Sequence, residues 1–134
     1  MSECLDWHNL LRARHTAGPL RLEPGLCARA QQWADLLAHT EQFHYQRPPD
    51  LGENLLLFPP SSLALQAPDV NGKYCATYWY RSHSSFPYSN PPATLQSYAS
   101  AFTQLVWAAS KMFGCGKARS PSGKMIVVAY YHPR

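Results

Sequence analysis

The run MIVVAYY at residues 125–131 most constrains what this chain can fold into. It is a stretch of β-formers without a charge, and it lies on the far side of a Ser-Pro-Ser-Gly turn from a second β-prone segment, FGCGKA. The two read as a closing hairpin over residues 113–118 and 125–132. A third strand is expected at 53–58, ENLLLF, a short buried run that Pro59 and Pro60 terminate. Helical character fills much of the remainder. A first helix is expected over 3–15, ending before Gly18-Pro19. A second runs over 24–40, where Pro24 suits a first turn and Leu26, Ala30, Trp33 and Leu37 recur at helical spacing. A third is expected over 69–83, with Val70, Tyr74, Thr77, Tyr78 and Arg81 on one side, and a fourth over 95–108. The segment between these two, SSFPYSNPPAT, is too rich in Pro and Ser to be regular. Helices, a strand, helices and then a hairpin give an α+β fold with helices stacked on an antiparallel sheet.

The chain's 134 residues suit one domain, 1–134, and 46% apolar against 15% charged residues is a globular composition. Four tryptophans and eight tyrosines supply either core or the walls of a groove. The net charge of +4 is spread along the chain with no basic run, which excludes a nucleic-acid arm; it is read first as ordinary solubility and is compatible with anionic lipid headgroups. The opening residues MSECLDWHNLLRARH lack an uninterrupted apolar stretch, and no apolar run approaches the ~20 residues that span a bilayer. The expectation is an intracellular chain, secreted only if a signal peptide has been removed. Cys4, Cys27, Cys75 and Cys115 show no CxxC spacing, so cysteine-bound metal is not expected and four reduced thiols are.

Several motifs, in order, resemble one family. FTQLVWAAS at 102–110 is similar to the signature of the CAP superfamily, which comprises cysteine-rich secretory proteins, antigen 5 and plant pathogenesis-related proteins. HNLLRARH at 8–15 resembles the family's opening helix, and AQQWADLLA at 30–38 its second. LGENLL at 51–56 resembles its Gly-Glu-Asn strand, YWYRS at 78–82 its Trp-Tyr-x-Glu helix, and VVAYYHP at 127–133 its closing strand. Within the family the chain looks most like the Golgi-associated plant pathogenesis-related branch. The resemblance implies a three-layer α-β-α sandwich with a central, mainly antiparallel sheet. It also implies a placement on the cytosolic face, at the Golgi or peripheral to a membrane.

The family's cleft holds two histidines and two glutamates that can bind a divalent metal. Carried over position by position, these fall on His44, Glu53, Ser82 and Ala101, so half of the set is absent. Alanine offers no lone pair and serine is a poor zinc ligand. His83 is a substitute candidate, but adjacent helical residues point ~100° apart. No cofactor is therefore expected; zinc on His44, Glu53 and His83 is a weak candidate.

The resemblance implies a non-enzymatic binding module for lipid (anionic phospholipid or sterol) or for a protein partner. Phe86, Pro87, Tyr88, Pro91 and Pro92 would offer an apolar loop surface to lipid. Two alternatives stand beside it. One is a metal-dependent hydrolase with His44 as a ligand and Glu53 as general base. The other is a homodimeric assembly protein, whose MIVVAYY strand could also pair at an edge.

Other residues are read structurally. Glu53 would receive backbone hydrogen bonds or one from His44, and Asn54 would tie a loop to the strand end. His8 and Asn9 would pack the first helix, and Thr103 and Gln104 would satisfy buried backbone groups. Trp33, Trp79 and Trp107 would be core, and Cys115 a buried thiol.

Overall fold

The uncharged run is an interior strand buried on both faces. The structure, a computed structural model, describes residues 2–58, 71–81, 104–107 and 109–133. Its elements are α1 (Ser2–Ala13), β1 (Arg21–Leu22), α2 (Pro24–Thr40), β2 (Gly52–Phe58), α3 (Gly72–Tyr80), β3 (Met112–Arg119) and β4 (Met125–His132). The sheet order is β1-β3-β4-β2, with β1 parallel to β3 and the other pairs antiparallel. Because β4 lies between β3 and β2, it is not available as an edge, and the edge pairing expected of MIVVAYY does not occur. The short β1 was not expected from sequence: two residues carry no periodicity, and the strand exists because Arg21 and Leu22 meet Met112 and Phe113.

Side chains of β4 alternate between two cores. Met125, Val127, Ala129 and Tyr131 face α1 and α3. Ile126, Val128 and Tyr130 face α2. Each aliphatic side chain buried in this way contributes about 1.5–3 kcal/mol relative to exposure. Strand β3 uses the same alternation differently. Phe113 and Cys115 enter the α1/α3 core. On the α2 side, a Cβ at Gly114 would lie 2.4 Å from the Cys27 backbone N, and one at Gly116 would lie 2.6 Å from the Gln31 Cα. The FGCG alternation thus sets how closely α2 approaches the sheet. The result is three layers, α1 and α3 over the sheet and α2 beneath it, as the resemblance implied.

Local chemistry explains the helix ends. Helix α2 starts with Pro24, and the Glu23 side chain accepts from the Gly25 N–H at 3.0 Å. It stops at Glu41, which takes a left-handed φ of 59° while its N–H bonds the Ala38 carbonyl. Helix α3 begins at Gly72 rather than at 69, because the Asn71 side chain caps the Tyr74 N–H at 2.8 Å. Glu3 of α1 adds a second cap, accepting from the Gly72 N–H at 2.8 Å. The buried face of α3 is Gly72, Cys75, Ala76 and Trp79, so Tyr74 and Tyr78 are on its outer side. Helix α1 ends at Ala13, two residues short of the expectation. Of the fourth expected helix, residues 104–106 are helical, and 95–103 and 108 lie outside the described residues.

Candidate functional site

Glu53 stands near the start of β2, opposite Tyr130 of β4, on the α2 side of the sheet. Its carboxylate folds the preceding segment against the strand. One oxygen accepts from the Gln46 N–H at 3.0 Å and the other from the Arg47 N–H at 2.8 Å. The Gln46 side chain in turn accepts from the Tyr130 hydroxyl. Tyr45 completes this rim. Burial pushes its hydroxyl pKa up, the Glu53 charge pushes in the same direction, and Arg47 opposes both. His44 is exposed and packs edge-on against Trp33, with ring centroids 5.2 Å apart. No hydrogen bond joins His44 to Glu53 among the described residues. No three His, Cys, Asp or Glu side chains among those residues converge in a metal-binding arrangement. Ser82, His83, Ala101 and the loop residues Phe86, Pro87, Tyr88, Pro91 and Pro92 lie outside the described residues. Beside His44, a groove of about 230 Å³ is lined by Arg29, Gln32, Trp33, Leu36 and Gln46. That is below the ~300–1,000 Å³ of ordinary small-molecule sites.

A second polar cluster lies inside the α1/α3 layer. The His8 Nδ1–H donates to the Cys4 carbonyl at 2.8 Å, which leaves Nε2 to accept from the Tyr131 hydroxyl at 2.6 Å. The Tyr131 oxygen accepts from Asn54 Nδ2 at 3.1 Å, so this network assigns one tautomer to a neutral His8. Asn54 therefore serves a buried tyrosine rather than a loop backbone alone. Asn9 clamps the chain before β1, accepting from the Leu20 N–H at 2.7 Å and donating to the Leu20 carbonyl at 3.2 Å.

Arg12 is the residue that sequence reasoning missed. It is fully buried, and its guanidinium donates to four backbone carbonyls: Gly18 at 2.7 Å, and Leu105, Trp107 and Ser110 at 3.0 Å each. Its signal was a charge on the inward face of α1, one turn after His8 and beside Leu11. The guanidinium fixes the course of the 104–110 segment. Leu105 is buried there, and Gln104 presses on Gly52, where any Cβ would collide with its side chain. Trp107 is 41% exposed and not core, because Arg12 holds its carbonyl inward while its indole turns to the surface. Trp79 is core as expected, with its indole N–H on the Leu55 carbonyl at 3.0 Å, and Trp33 is half-buried.

The buried Arg12 thus secures the segment that resembled a family signature, and comparison with known proteins agrees. The sequence profile of the CAP family, the cysteine-rich secretory protein family, matches residues 5–131. The chain belongs to the CAP family. The Golgi-associated plant pathogenesis-related protein 1 of Homo sapiens is 33% identical over 98% of this CAP chain and 81% of its own length. Among solved structures, the hookworm platelet inhibitor superposes with a TM-score of 0.73 at 17% identity, over 99% of this chain and 68% of its own. NaASP2, solved with Zn2+, superposes with a TM-score of 0.70 at 18% identity, over 98% of this chain and 78% of its own. At these identities the two structures establish the CAP fold, an α-β-α sandwich.

Proposed function

We propose that this CAP domain is a non-enzymatic binding module for a lipid surface, with a cleft that no longer serves as a metal centre. The observation that carries the reading is the engagement of both Glu53 carboxylate oxygens by the Gln46 and Arg47 N–H groups. A carboxylate so used is a structural brace for the 44–47 segment. Residue identities support the same reading. Ser82 and Ala101 occupy the family's other glutamate and histidine positions, and Ala101 has no donor atom. The metal-dependent hydrolase reading draws its support from NaASP2, a fold relative whose structure was solved with Zn2+. It requires His44 and Glu53 to act with half the family's ligands.

The lipid reading rests on the apolar loop residues Phe86, Pro87, Tyr88, Pro91 and Pro92, and on the net charge of +4 facing anionic headgroups. A peripheral placement, at the Golgi, follows the name of the human relative. No helix among the described residues is long and apolar enough to cross a membrane. A protein partner or a second copy would dock through exposed aromatics such as the stacked Tyr74 and Tyr78 of α3. Co-sedimentation with vesicles tests the lipid reading. The chain is expected to pellet with anionic or sterol-containing vesicles, and a variant carrying Phe86→Ser and Tyr88→Ser is expected to stay in the supernatant. A wild-type chain that remains soluble with both vesicle types contradicts it.

A further inference from the structure

Helix α2 buries one face on the sheet and turns a neighbouring face to the groove beside His44. Arg29, Gln32, Trp33 and Leu36 share that second face at helical spacing, and with Gln46 opposite they line the space of about 230 Å³. Its polar groups are mostly donors. Trp33 Nε1 is buried and has no hydrogen-bond partner among the described residues, although a buried indole N–H ordinarily finds an acceptor. The Gln46 amide is oriented from behind: its oxygen accepts from the Tyr130 hydroxyl, which leaves the Nε2 hydrogens without a partner among the described residues. The exposed Gln32 amide has no such partner either. Charge, by contrast, is already compensated. The Arg29 guanidinium is paired with Asp50 at 3.0 and 3.4 Å and lies 5.9 Å over the Tyr130 ring. Both Glu53 oxygens are taken by backbone N–H groups. Leu36, 49% exposed, and the half-buried Trp33 ring supply an apolar wall.

We propose that this groove binds one N-acetylated sugar, the end residue of a neutral glycan. An uncompensated cation would select an anion, but the Arg29 charge is spent on Asp50, so the ligand is a neutral acceptor. The acetamido group has that chemistry in compact form. Its carbonyl accepts from the Trp33 indole N–H and the Gln46 Nε2, and its methyl lies on Leu36. The ring hydroxyls meet the Gln32 amide, which both donates and accepts. The sugar's C–H surface covers the exposed part of the Trp33 ring. The groove's size favours a single ring: it is too small for ordinary drug-sized ligands and for an extended peptide of several residues. A small apolar wall with a few convergent polar groups is enough to orient one ring, and the Tyr130 bond holds the Gln46 donors in place before the ligand arrives. This site goes beyond the lipid reading and does not depend on it.

The test is a titration of the 15N-labelled wild-type chain with the methyl β-glycoside of N-acetylglucosamine, followed by proton–nitrogen NMR. The readout is the indole N–H resonance of Trp33, one of four such signals, assigned by through-bond connection to its own backbone. The expected result is a saturable downfield shift of that resonance with a Kd of about 1 mM, as suits a ligand of this size. Gln46→Glu keeps an acceptor for the Tyr130 hydroxyl and removes the two donors, and is expected to weaken binding at least ~10-fold. Two controls, methyl glucoside without the acetamido group and N-acetylglycine methylamide without the sugar ring, are expected to leave the resonance in place. A Trp33 resonance that does not move at sugar concentrations well above the expected Kd overturns the proposal. So does an equal response to either control, or an unchanged Kd in Gln46→Glu. The wild-type titrations decide the matter even if the variant fails to fold.

Discussion

Replacing Arg12 by alanine is expected to cost about 4 kcal/mol of folding stability, the largest loss from any single change considered for this chain. Arg12 makes four hydrogen bonds from a fully buried site, all to backbone carbonyls. Charge-assisted bonds of this kind contribute about 1.5–3 kcal/mol each. Alanine also takes this donor from four carbonyls, two of them in fully buried bonds. Domains of this kind have ~5–15 kcal/mol in total, so the variant retains a fold with little margin. Lysine at this position keeps the charge but not the planar fork, and is expected to lose about 2 kcal/mol. Urea midpoints of the three chains measure the series. Hydrogen exchange adds the local readout: the Ser110 N–H, bonded to the Trp107 carbonyl at 3.1 Å, is expected to lose protection first. A loss below ~1 kcal/mol for the alanine variant would show that the 104–110 segment holds its course without Arg12.

Acid is expected to destabilise the chain through His8. Burial pushes its pKa from 6.5 down to about 4; the bond to the Cys4 carbonyl opposes this, and the Arg12 charge adds to it. Above pH 6.5 the imidazole is neutral in both the folded and the unfolded chain, and stability is full. Between 6.5 and about 4 the unfolded chain takes up a proton that the folded chain excludes, so stability falls as pH falls through that window. Below about 4 both forms are protonated and the loss levels off, at on the order of 3 kcal/mol. Protonation would also remove the Nε2 lone pair that receives the Tyr131 hydroxyl. Exposed carboxylates titrate in the same range, so the comparison is between the wild type and His8→Gln. The variant starts less stable at neutral pH, and its urea midpoint is expected to change less between pH 7 and pH 4. Equal slopes for the two chains would rule out His8 as the acid-sensitive group.

These two residues show where sequence reading succeeds and where it stops. The apolar repeat of Leu26, Ala30 and Leu37 and the charge-free run before Pro133 specify α2 and β4, because burial on a periodic face leaves a local pattern. Arg12 leaves none. Its acceptors on the 104–110 segment are more than ninety positions away, and its burial is decided by packing that no local window contains. Trp107 fails for the related reason that a tryptophan reads as core unless a tertiary contact turns its backbone. The edge role expected of MIVVAYY failed because pairing with β2 depends on topology rather than on the strand itself. The proposed loss of two cleft donors at Ser82 and Ala101 rests on residue identity alone, since alanine carries no donor atom and both positions lie outside the described residues. That Glu53 braces Gln46 and Arg47 needed the fold, since the bonds run to backbone atoms and carry no residue signature.

The central claim is that this CAP domain keeps the family's frame and has given up its metal chemistry. Zinc content after loading and exhaustive dialysis against metal-free buffer tests it most directly. The account predicts that the wild-type chain emerges without zinc, indistinguishable from a His44→Ala variant. Stoichiometric zinc retained by the wild type and lost in His44→Ala would contradict it.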